Sequence, residues 1–142
     1  MSLNGQSDVV ELRIPCKPEF VSVARLAILG IASRMQLSYD EVEDVRLAVG
    51  EACTTAVERA KNAAKTDTYI NIRSEISNSK LTIEVEDEVP TAEIRPSEEA
   101  ASPENIDEQS LGALLMELLV DEIQIEQTPK GGTLVRMVKY AG

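Results

Sequence analysis

"LAVGEACTTAVERA", Leu47–Ala60, holds the pattern that decides how the chain folds. At about 100° per residue, Val45, Val49, Ala52, Cys53, Ala56 and Ala60 fall on one arc, the apolar stripe of an amphipathic helix. Glu51 and Thr55 stand one turn apart just off that arc, and Ala48 and Arg59 extend their line. A helix that sets a carboxylate and a hydroxyl beside its buried face is open to three readings. The pair is half of a working site, the remains of one, or an ordinary polar shoulder.

Ser38, followed three residues on by Glu41, is a capping-box signature that starts this helix and carries it to about Ala64. An earlier helix runs from about Pro18 to Met35, with Val21, Ala24, Ile28, Ile31, Ala32 and Met35 as its core stripe. Its other side, Val23, Leu26, Ala27 and Gly30, is apolar or small as well. Such a helix is central in a core or covered by a partner. "VVELRIP", Val9–Pro15, reads as a strand ended by Pro15 and Pro18, behind a flexible leader over residues 1–8.

Downstream, "TYINIRSEI" and "KLTIEVED", joined by "SNS", read as a β-hairpin. Leu81, Ile83 and Val85 share one face, and the alternation of a strand puts Asp87 on it too. An inward carboxylate needs a partner, either a backbone group or a ligand. The other reading ends the strand earlier and makes Asp87 a turn cap. Residues 89–105 combine prolines and acids without periodicity, a long loop of the kind that is usually functional or disordered. "DEQSLGALLMELLVDE" is a third helix, with Leu111, Leu114, Leu115, Leu118 and Leu119 apolar. "IQIEQ" and "TLVRMVKY" are the last strands, turned by "TPKGG". The order β-α-α-β-β-loop-α-β-β predicts an α+β fold: a two-layer α/β sandwich with a mostly antiparallel sheet and helices on one face. It occupies residues 9–142 as one domain.

With 142 residues, 43% of them apolar, but only three tyrosines and one phenylalanine, the core must be aliphatic. A net charge of -11 denies the chain the basic footprint that direct nucleic-acid or anionic-membrane binding needs. The absence of histidine excludes histidine-based catalysis, histidine-held metal and a phospho-accepting histidine. Two cysteines, Cys16 and Cys53, suggest no disulfide framework. "VARLAILGIA" is too short to span a membrane and is interrupted by Arg25. The expectation is a cytoplasmic protein whose partner is another protein.

"IPCKPEFVSVARLAILGIASRMQLSYDEVEDVRLAVGEACTTAVERA" closely resembles the start of the bacterial RsbW family of anti-sigma factors and switch-protein serine kinases. That family is part of the superfamily of histidine kinases, gyrase and MutL. The resemblance continues through "IEVEDE", "LGALLMELLVDEI" and "GGTLVRMVKY", roughly Leu12 to Tyr140. It implies the histidine-kinase-like ATPase fold and a helix carrying Glu-x-x-x-Asn. In that motif the asparagine holds magnesium and the glutamate takes the proton of a substrate serine. Glu51 stands at the catalytic glutamate position. Thr55 stands at the metal-binding asparagine position, where a hydroxyl reaches less far than an amide.

Asp87 matches the aspartate that reads the adenine amino group. Val89 stands where the family has a glycine, and Thr91 at a further pattern position. The family's glycine-rich turn before the third helix wraps phosphates with backbone N–H groups. Gly112 persists there, while Gln109 and Ser110 replace glycines and remove the φ freedom such a nest needs. Gly131, Gly132 and Thr133 also persist, with Thr133 at a nucleotide position, although this is ordinary turn chemistry as well. No Lys or Arg lies between Arg95 and Lys130, and Glu98, Glu99, Glu104, Asp107 and Glu108 crowd the lid.

These departures predict an anti-sigma regulator that sequesters its target, with ATP bound weakly or not at all and no resident cofactor. The alternative is an active serine kinase using ATP and magnesium, with Thr55 tolerated. The resemblance implies a sigma factor or an anti-anti-sigma antagonist as partner and a homodimer as assembly. It also makes Arg25, on the first helix, a partner contact. Arg25 is equally readable as an arginine whose stem packs.

Overall fold

Five segments of alternating apolar and polar residues pair into one antiparallel sheet. The computed structural model describes residues 7–90 and 108–141. Its strands are β1 (Asp8–Pro15), β2 (Tyr69–Ser77), β3 (Lys80–Asp87), β4 (Glu122–Gln127) and β5 (Thr133–Tyr140), in the spatial order β1-β2-β3-β5-β4. Its helices are α1 (Val21–Ala32), entered through a 3-10 turn at Pro18–Phe20, α2 (Tyr39–Asn62) and α3 (Glu108–Leu119). The element order and the α+β class are those the sequence predicts. β1 starts at Asp8, inside the span read as leader. The rest of that leader except Ser7, most of the long loop and Thr91 lie outside the described residues.

Each element has a local cause. α2 begins with a complete capping box: the Ser38 hydroxyl accepts the Glu41 N–H at 3.1 Å, and the Glu41 carboxylate accepts the Ser38 N–H at 2.9 Å. The Ser38 backbone N–H first, and then the Ser38 side chain, hold the Glu41 carboxyl below the ordinary glutamate range. α1 stops at Ala32, short of the expected Met35, because the chain tightens there. The N–H groups of Arg34 and Met35 reach back only three residues, to Ile31 and Ala32. The β2–β3 hairpin closes Ser77 onto Lys80 through Asn78 and Ser79, both with positive φ (42° and 67°), as a two-residue turn matched to strand twist requires.

The core lies between the sheet's inner face and the helices. Ile14, Ile70, Ile72, Leu81, Ile83, Val85, Val135 and Met137 face the α1 residues Val21, Ala24, Ile28 and Ala32 and the apolar arc of α2. All six residues of the arc read from the sequence are buried. α2 packs against both α1 and α3 and also meets β3. On the outer face, Glu11, Arg73, Glu84, Arg136 and Gln124 sit opposite one another in register, a cross-strand row of alternating charge facing water.

Candidate functional site

Glu51, Thr55 and Arg59 follow one another at one-turn intervals along α2. The Thr55 side chain is nearly buried, and its hydroxyl donates to the Glu51 backbone carbonyl at 2.8 Å. Its proton is therefore committed to the helix itself. α3 lies directly over this pair. A Cβ added to Gly112 would come within 2.7 Å of Glu51 Oε1 and 3.2 Å of Thr55 Oγ1. Gly112 thus sits inside α3, where its missing side chain lets two helices approach closely. Met116 and Val120, four and eight residues on, continue the buried stripe, while Leu111, Leu114, Leu115 and Leu118 face outward.

One turn beyond Thr55, Arg59 crosses to the end of β3. Asp87 is 2% exposed, and its Oδ2 accepts a hydrogen bond from Arg59 Nη2. Its other oxygen, Oδ1, accepts the N–H of Val89 at 3.0 Å and of Thr133 at 3.4 Å. A Cβ on Gly132 would overlap the Asp87 carbonyl oxygen. One carboxylate therefore gathers the end of β3, the start of β5 and the second half of α2. Val89, at the family's glycine position, is fully buried in the core.

The structure brings Asp87 and Thr133 together at one end of this line and Glu51, Thr55 and Gly112 together at the other. Sequence reasoning found the inward phase of Asp87 but not the cation that answers it. The available signal was Arg59 itself, a charged residue among Ala56, Val57 and Ala60 on a flank that the arc places near the core. Arg25 lies apart from this line, between α1 and α2. Its guanidinium rests over Gly50, with a Cβ there falling 3.1 Å from Arg25 Cζ, and its Nε is buried with no hydrogen-bond partner among the described residues. Cys16 and Cys53 are free and buried, and burial pushes the Cys53 thiol up to about 12. Neither thiol is an activated nucleophile.

A family model described as the histidine kinase-like ATPase domain matches residues 14–139. The chain belongs to that family. Among its similar relatives is the serine-protein kinase RsbW of Bacillus licheniformis, 36% identical over 141 residues, which cover 94% of this chain and 86% of that protein. The RsbW of Bacillus subtilis (strain 168) is 34% identical over 145 residues, covering 97% and 89%. The RsbW of Staphylococcus aureus is 34% identical over 145 residues, covering 97% and 90%. These place the chain in the RsbW branch. The fold is similar to a crystal structure of the RsbU and RsbW domains of a Mycobacterium tuberculosis protein, with a TM-score of 0.68 at 14% identity. The match covers 94% of this chain and 32% of that one. Among the described residues, no helix is long and apolar enough to cross a membrane.

Proposed function

We propose that this protein is an anti-sigma regulator of the RsbW type that acts by sequestering a protein partner, with weak or no binding of ATP. The observation that carries this reading is the state of Asp87. The carboxylate assigned to the adenine amine already has Arg59 on one oxygen and two backbone N–H groups on the other. Thr55, at the magnesium position, has its hydroxyl bound to the Glu51 carbonyl. These residues do not fit magnesium–ATP.

Sequestration needs a surface, and α1 offers one. Val23, Leu26 and Leu29 are exposed beside the half-buried Arg25, a helix face suited to an apolar partner groove. The partner in this reading is a sigma factor, an anti-anti-sigma antagonist, or each in turn, and the regulator works as a homodimer. The test is a thermal melt with millimolar magnesium–ATP. A ligand at a hundred times its dissociation constant adds about 2.7 kcal/mol, a shift of several degrees for a domain of this size. We expect no such shift.

A magnesium-dependent rise would favour the second reading, a serine kinase acting on the antagonist. Two observations keep that reading in play. Glu51 stays partly exposed at the family's base position, and the relatives are named serine-protein kinases.

A further inference from the structure

The Asp87 carboxylate is served from two sides. The N–H groups of Val89 and Thr133 hold Oδ1, and both belong to backbone fixed at the ends of β3 and β5. That leaves Oδ2 for anything else, and Arg59 Nη2 is bound to it. Arg59 is no surface residue swinging inward, since its side chain is 10% exposed. Its Nε is buried without a hydrogen-bond partner among the described residues. Among the described residues, the carboxylate it reaches is what holds this guanidinium.

We propose that Arg59 is an internal occupant of the base subsite. It fills the space and takes the acceptor that the exocyclic amine of an adenine nucleotide would use, and so sets the site against that ligand. This rests on the reading of Asp87 as the base-facing carboxylate. Guanidinium and exocyclic amine are both donors and compete for the same oxygen. The guanidinium is tethered to the chain, which gives it a high effective concentration that free nucleoside must overcome. The apparent affinity of the parent is the intrinsic affinity multiplied by the fraction of molecules in which Arg59 has withdrawn.

The experiment is a thermal melt and calorimetric titration with adenosine, which probes the base subsite without phosphates or metal. Purine riboside, which lacks the exocyclic amine, is the control ligand. We expect the parent and Arg59→Lys to be unmoved by either nucleoside. Arg59→Ala should gain affinity for adenosine by about tenfold or more over the parent, and not for purine riboside. If Arg59→Ala does not fold alone, it is refolded in each nucleoside. Recovery with adenosine only supports the proposal, and recovery with neither overturns it.

A folded Arg59→Ala that ignores adenosine overturns the role of Arg59. If the parent also ignores magnesium–ATP, the sequestration reading survives that loss. A parent that responds to adenosine as strongly as the variant overturns both. Equal response of the variant to the two nucleosides shows that Asp87 does not read the amine, and removes the proposal with the assignment beneath it.

Discussion

At Gly132 the chain passes so close to the Asp87 carbonyl oxygen that any side chain would overlap backbone. Backbone cannot rotate aside as a side-chain tip can, so β3 and β5 would have to part. Gly132→Ala should therefore lower stability by about 1–3 kcal/mol, the usual cost of overpacking. Urea unfolding with a lowered midpoint and unchanged slope would show it, and an unmoved midpoint would mean that the strands are less tightly pressed. The neighbouring carboxylate is the more instructive residue. Period-two alternation made the inward phase of Asp87 legible, because a strand gives every second residue the same face. Arg59 was not legible as its partner. It lies 28 residues away, and a single arginine on a helix flank carries no periodic signal. Gly112 has a packing role that its motif does not announce. A glycine in a motif reads as a phosphate-turn residue, and the sequence does not show that its missing side chain also makes room for Glu51 and Thr55.

Elements were legible wherever a local rule fixes them. The capping box at Ser38 and Glu41 is local chemistry, and it starts α2 where the sequence places it. Ser38→Ala should cost about 1 kcal/mol in chemical denaturation. The Glu41 carboxyl is held below its unfolded value, so its contribution is present above the ordinary glutamate range. That contribution is lost as pH falls through the lowered folded value. Glu41→Gln accepts the same N–H but does not titrate, so its stability should fall less steeply on the acid side than the parent's. Parallel acid limbs would refute this. Which apolar face turns inward was less legible, since periodicity marks a stripe without saying what covers it. α1 and α3 each carry apolar residues on more than one side, and α3 turns four leucines outward while burying Met116. The contact of α1 with α2 supplies a further test. Gly50→Ala would push the Arg25 guanidinium out of its place without removing its charge. The obstruction is the far end of a flexible side chain, so the melting temperature should move little while partner binding weakens. Parent-like binding by a folded Gly50→Ala would separate the position of Arg25 from recognition.

The whole molecule sets a long-range repulsion against short-range apolar attraction. Its net charge is -11, yet Val23, Leu26 and Leu29 on α1 and Leu111, Leu114, Leu115 and Leu118 on α3 are exposed. If two copies associate through such faces, each brings the same negative field, and that field opposes the contact. Salt shortens the reach of the field from about 10 Å at 0.1 M to about 3 Å at 1 M, while apolar burial is not weakened by screening. Self-association should therefore tighten as salt is raised over that range. A complex with a basic partner segment should do the opposite, because there the same field is attractive and screening removes it. Sedimentation at several concentrations in low and high salt reads the first effect, and titration with the partner in the same buffers reads the second. Self-association that weakens with salt would show that ion pairs, not the leucine-bearing faces, hold the copies together. The outer sheet face would then be the place to look, because its row of Glu11, Arg73, Glu84 and Arg136 already alternates in charge and could pair with a second row offset by one strand.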